Sequence, residues 1–221
     1  SDSRKLSFVD VRTLALVGSM TLDTGKAEST GPDGAGGLLL NEKDRDMVAH
    51  IDIASRKIIA EWPTTGCDQP TGMAVDPEHH RAFIGCRGNK PVLEVMDMQT
   101  GKVVASLPLG RGNDGVVYDA ASKRIITTNG IEGNIVIYHQ EDADHYRMEQ
   151  AITTRPMART IAYDPLSASI FTVTAEGVVD PAKEINTGPS AFYPNAYYDN
   201  SFVVLTYAPN HIQGGKEHHD Q

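Results

Sequence analysis

The chain has 221 residues, 40% of them apolar and 22% charged, which is enough for one domain with a full core or for two small ones. A net charge of −9 argues against gripping nucleic acid through the overall field, and two cysteines cannot build a zinc ribbon or a disulfide framework. No apolar run is long enough for a membrane span, and the start Ser1-Asp2-Ser3-Arg4-Lys5 lacks the apolar core of a signal peptide, so such a leader would already be gone or lie outside the sequence.

In chain order, two motifs alternate. The first is SFVDVRTLALVGSM at 7–20, AHIDIASRKIIAEW at 49–62 and EVMDMQTGKVVASL at 94–107. Its aspartates Asp10, Asp52 and Asp97 are 42 and 45 residues apart. The second is PTGMAVDPEHHRAFIGC at 70–86, NDGVVYDAASKRIITTN at 113–129 and ARTIAYDPLSASIFTVT at 158–174, with Asp76, Asp119 and Asp164 spaced by 43 and 45. Apolar runs of four to six residues, rich in Val and bounded by turn residues, predict short strands, and no stripe of helical period persists. Four short strands per repeat of about 43 residues predict an all-β fold, a β-propeller of four-stranded antiparallel blades. In the best-defined blade the strands are Gly72–Val75, Arg81–Gly85, Val92–Asp97 and Lys102–Leu107. The expected organisation is one domain over 1–209 and a polar tail over 210–221.

The residues Val75-Asp76-Pro77, Arg81-Ala82-Phe83-Ile84-Gly85, Asp97, Thr100-Gly101-Lys102-Val103-Val104 and Leu107-Pro108-Leu109-Gly110 resemble the YVTN-repeat propellers of the YncE type. The resemblance covers about residues 4–175. It implies a bacterial or archaeal, exported protein of the periplasm or cell exterior, and a seven-bladed ring. About five blades' worth of sequence is present at about 43 residues each. Residues 4–20 match only the outer two strands of a blade, and too few residues separate Asp33 from the next predicted strand near 36–38. Either a blade has lost a strand or a stretch is missing there. A five-bladed ring is the alternative.

Residues 176–195 read as a long loop, and Ser201–Tyr207 as a strand that completes the last blade or pairs with the first. The candidate ligand-binding residues are Asp33, Thr71, Asp114 and Arg159, each placed just before an innermost strand, where loops crowd the mouth of the central channel. They could equally hold blades together. Cys67 and Cys86 fall at one end of a predicted hairpin, which allows a disulfide or two buried thiols.

Gly110-Arg111-Gly112-Asn113-Asp114-Gly115 matches G-x-G-x-x-G. A strand and not a helix follows, so an inter-blade turn is expected rather than a dinucleotide site. The eight histidines are scattered without metal-ligand spacing, and Glu141–His145 reads as a solvated turn. Phe192, Tyr193, Tyr197, Tyr198 and Tyr207 form an aromatic stretch that covers either the channel, a partner or the last blade's edge.

These residues predict no catalytic group, no metal and no cofactor. The expected function is a binding or scaffold protein, with an unknown small molecule or protein as partner on one face. A lactonase-like or quinoprotein-like enzyme acting at the channel is the alternative, by analogy of fold.

Overall fold

The computed structural model describes residues 3–185 and 193–209, and every regular element among them is a strand. The predicted tail at 210–221 and Phe192 lie outside the described residues. Among the described residues no helix is long and apolar enough to cross a membrane.

A hairpin, β1 (Lys5–Val9) and β2 (Leu16–Thr21), comes first, as the half-motif at 7–20 predicts. Three four-stranded antiparallel blades follow. The first is β3 (Ala27–Pro32), β4 (Gly37–Glu42), β5 (Met47–Asp52) and β6 (Lys57–Pro63). The second is β7 (Pro70–Asp76), β8 (Arg81–Cys86), β9 (Val92–Asp97) and β10 (Val103–Pro108). The third is β11 (Asn113–Asp119), β12 (Arg124–Asn129), β13 (Asn134–Gln140) and β14 (Tyr146–Thr153). The last blade has β15 (Ala162–Asp164) and β16 (Ser169–Thr174). The chain then makes an excursion through a small ladder, β17 (Gly177–Val178) with β18 (Ala196–Tyr197), before β19 (Val203–Tyr207) returns to pair with β16. The stretch that reads as a loop is therefore partly paired, and the predicted strand at 201–207 joins its own blade. These sheets are propeller blades.

The first blade corrects one expectation. It has four strands, and no hairpin turn is missing. Asp33 lies in the β3–β4 turn, where its Oδ1 accepts from the Ala35 and Gly37 amides at 2.7 and 2.8 Å. The innermost strand β3 escaped a reading based on apolar runs because Ala27-Glu28-Ser29-Thr30-Gly31-Pro32 has almost no apolar content. Its ladder to β4, with a bulge between Ala27 and Thr30, is what makes it a strand.

Strand alternation sends successive side chains to opposite neighbours. In β8, Ala82 and Ile84 pack with Leu39 and Val48 of the first blade, while Phe83 packs with Val116 and Ile125 of the third. In the third blade Ile125 faces backward, whereas Ile126, Ile135 and Ile137 meet Ile170 of the last blade. Each such buried Leu, Ile, Val or Phe side chain contributes roughly 1.5–3 kcal/mol, and it does so only when a neighbouring blade is present.

The repeated aspartates divide into two jobs. Asp10, Asp52 and Asp97 fold the outer hairpin turns: Asp97 Oδ1 accepts from the Gln99 and Thr100 amides at 3.0 and 2.9 Å, and Asp10 and Asp52 do the same locally. Gly101 closes the Asp97 turn at φ 71°, with the Trp62 ring so close that a side chain would strike it. In the second set Asp76 and Asp119 link blades, while Asp164 serves its own turn, accepting from the Leu166 amide and the Ser167 hydroxyl. Tyr163 Oη donates to Asp119 Oδ2 at 3.0 Å, and Tyr118 Oη lies 3.3 Å from Asp76 Oδ2 inside a network with Gln140 and His79.

One carboxylate sits in the blade interface itself. Glu94 is fully buried, with Oε1 accepting from the Gly66 amide at 2.6 Å and Oε2 without a hydrogen-bond partner among the described residues. Burial pushes its pKa up, against the hydrogen bonds from Gly66 and Thr65. A proton held more tightly in the folded chain than in the unfolded one stabilises the fold at low pH. That contribution is complete below the ordinary glutamate value of 4.5 and is lost as pH rises through the raised folded value. Glu94→Gln should therefore unfold at higher urea than the parent near pH 8, and the gap should close near pH 4.

Candidate functional site at the channel mouth

In each blade the innermost strand runs away from the entry face and the second strand runs back. Antiparallel pairing thus puts the start of the innermost strand and the turn after the second strand on the same face. Ala27 pairs with Glu42, Pro70 with Cys86 and Asn113 with Asn129. The next residues along the inner strands are Glu28, Thr71 and Asp114. The next residues after the second strands are Lys43 and Arg87 in the first two blades.

Glu28, not Asp33, is therefore the first blade's counterpart of Thr71 and Asp114. Asp33 lies in the turn at the far end of β3, where its Oδ2 meets His50 Nε2 at 2.8 Å. Thr71 is buried, and its hydroxyl donates to the Gln69 carbonyl at 2.9 Å, so it serves the linker. Asp114 and Arg159 do come together.

Asp114 is the centre of this mouth. Its Oδ1 is in contact with Arg87 Nη1, and its Oδ2 lies 2.9 Å from Arg159 Nε. Lys43 and Glu28, themselves paired at 3.1 Å, are near enough to act on the same carboxyl. Arg159 also donates from Nη1 to Tyr193 Oη at 2.6 Å. Charges from four blades thus converge at one point, joined by a phenol from the excursion. Burial raises the Asp114 pKa, and the cations Arg87, Arg159 and Lys43 only partly oppose that.

Glycines fix the backbone around Arg159. A Cβ on Gly130 would lie 2.8 Å from Arg159 Cβ, and one on Gly115 would lie 3.2 Å from the Arg159 carbonyl. That carbonyl also accepts the Thr128 hydroxyl. The run at 110–115 is an inter-blade turn leading into β11, with Gly112 at φ 77°.

Sequence reasoning found Asp114 and Arg159 but missed Glu28, Lys43, Arg87 and Tyr193. Lys43 and Arg87 had a readable signal: each is the basic residue directly after the second strand of its blade. Tyr193 had only its place in the aromatic stretch, and Tyr197 of the same stretch pairs in β18 instead.

Elsewhere, Cys67 and Cys86 form a disulfide with Cα atoms 5.2 Å apart, tying the linker before β7 to the end of β8. His79 Nδ1 meets Asp76 Oδ2 at 2.7 Å, and His145 sits on the exposed Asp142 turn. Among the described residues no group of three or more His, Cys, Asp or Glu is placed to hold a metal ion.

A cleft of about 540 Å3 opens between the third and last blades, away from the mouth and lined by Ile126, Ile137, Ile152, Tyr163, Ile170 and Tyr207. In the preceding interfaces, Val103 of β10 and Tyr146 of β14 pack against the buried clusters.

No family model matches the chain, and no curated protein matches it. Among solved structures it is similar to hydrazine synthase from Kuenenia stuttgartiensis, at 19% identity and a TM-score of 0.67 over 93% of this chain. The chain spans 56% of the length of that protein. It is also similar, at 12% identity and a TM-score of 0.50, to a functionally unknown protein from Desulfotomaculum acetoxidans, covering 78% of this chain and 70% of the other. At such identities the likeness shows the propeller fold.

The disulfide closes a loop of 19 residues, for which reduction should cost about 3 kcal/mol. Urea unfolding with and without reductant checks this, and the Cys67→Ser/Cys86→Ser double variant should match the reduced parent.

Proposed function

We propose that this chain works as an exported, YncE-like propeller of the binding or scaffold kind, and that it holds a small polar molecule at the entry face. One observation carries the reading: Glu28, Lys43, Arg87, Asp114 and Arg159 arrive from four blades at a single mouth, where Tyr193 joins them. Polar groups from several blades converging around a desolvated carboxyl are what ligand sites present. Export is supported by the disulfide, since such bonds persist in oxidising compartments. The net charge of −9 speaks against nucleic acid as the partner. The enzyme alternative has less behind it, because these six residues include no serine–histidine or cysteine–histidine pair.

Native mass spectrometry of the purified protein, followed by a denaturing spectrum of the same sample, tests the reading. The expected result is a small-molecule mass present in the native spectrum, absent after denaturation and lost in Asp114→Ala. Identical native and denatured masses, with no adduct after incubation in a small-molecule extract of the host cells, would overturn it.

A further inference from the structure

We infer that the mouth is built for an anion: a small molecule bearing a carboxylate or phosphate, whose oxygens take donors of Arg159 and Tyr193 that have no acceptor among the described residues. This rests on the entry-face reading above and names the chemical class of its ligand.

The argument begins with hydrogen-bond capacity. A guanidinium carries five N–H donors in a planar fork. Arg159 sets Nε in an ion pair with Asp114 at 2.9 Å and donates a hydrogen bond from Nη1 to Tyr193. Its Nη2 has no acceptor among the described residues. The Tyr193 oxygen accepts from Arg159, which leaves the phenol hydrogen free to donate, and it too has no acceptor among the described residues. Two donors of the kind that clamp an anion therefore lie next to one another. The Arg159 side chain is 37% exposed, against 16% for Asp114, so solvent reaches the fork while the carboxylate that anchors it stays covered.

Charge points the same way. The mouth holds three cations, Lys43, Arg87 and Arg159, against two carboxylates, Glu28 and Asp114. One positive charge is left over locally, on a chain whose net charge is −9. A cation is poorly served here, because both Asp114 oxygens already face guanidinium groups. The backbone of Arg159 is fixed by Gly115, Gly130 and the Thr128 hydroxyl, so the fork does not have to be assembled when the anion arrives.

Isothermal titration calorimetry of the full chain with inorganic phosphate, and separately with acetate, at constant ionic strength tests the assignment. Phosphate should bind the parent. Arg159→Gln should weaken it by about tenfold or more, and Tyr193→Phe, which removes one hydroxyl, by severalfold. Arg159→Lys should restore part of the loss. Arg111→Gln, an exposed arginine paired with Glu132 on the linker, should change nothing. Thermal unfolding of each variant confirms that it folds. Equal phosphate affinity in the parent and Arg159→Gln would overturn the assignment, as would the absence of heat with both anions. If the anions fail while native mass spectrometry still shows a small molecule lost in Asp114→Ala, the anion class falls and the entry-face reading stands. If neither probe shows binding, both fall.

Discussion

Face-to-face packing between consecutive blades is the constraint on which everything else in this chain rests. Each blade is a thin sheet with two apolar faces, and a strand delivers its side chains to both faces in strict alternation. Ala82 and Ile84 need the first blade, and Phe83 needs the third. Polar links follow the same geometry. Tyr163 reaches back to Asp119, Asn41 donates to the Thr71 and Gly72 carbonyls of the next blade, and Arg81 spans Asp97 and Asp144. These contacts set the angle between blades, and that angle brings four strand starts to one mouth.

The mouth is therefore a product of repetition. Corresponding positions in successive blades become neighbours around an axis, so residues some 40 apart in sequence meet as Asp114 and Arg159 do. Charges placed there are desolvated by the neighbouring blades, which is why the Asp114 carboxyl is pushed up while the turn aspartates are pulled down. Asp10, on a rim turn, is held low by hydrogen bonds from Thr13 and Arg12. The same repeated residue type thus serves as a turn former on the rim, as a blade-to-blade acceptor at Asp76 and Asp119, and as a charge partner at the mouth.

Much of this was legible in the sequence because repeats expose their own register. The spacing of Asp76, Asp119 and Asp164 located the inner hairpins, and Asp97 with Thr100-Gly101 located an outer turn whose geometry requires them. What stayed hidden was hidden for physical reasons. β3 is a strand through its pairing with β4 rather than through its side chains, so the apolar pattern was silent and Asp33 was assigned to the wrong end of the blade. Tyr193 reaches Arg159 from an excursion with no counterpart in the other blades, so no register could place it.

A double-mutant cycle across one blade interface tests the central claim, that specific contacts between neighbouring blades hold the array together. Tyr163→Phe, Asp119→Asn and the combination would be unfolded in urea beside the parent. Here the Tyr163 hydroxyl donates to a carboxylate in the neighbouring blade at 3.0 Å. A hydrogen bond to a charged group of this kind predicts a coupling energy of about 1–2 kcal/mol. Additivity of the two single changes to within a few tenths of a kcal/mol would show that the blades do not depend on this contact and would contradict the account.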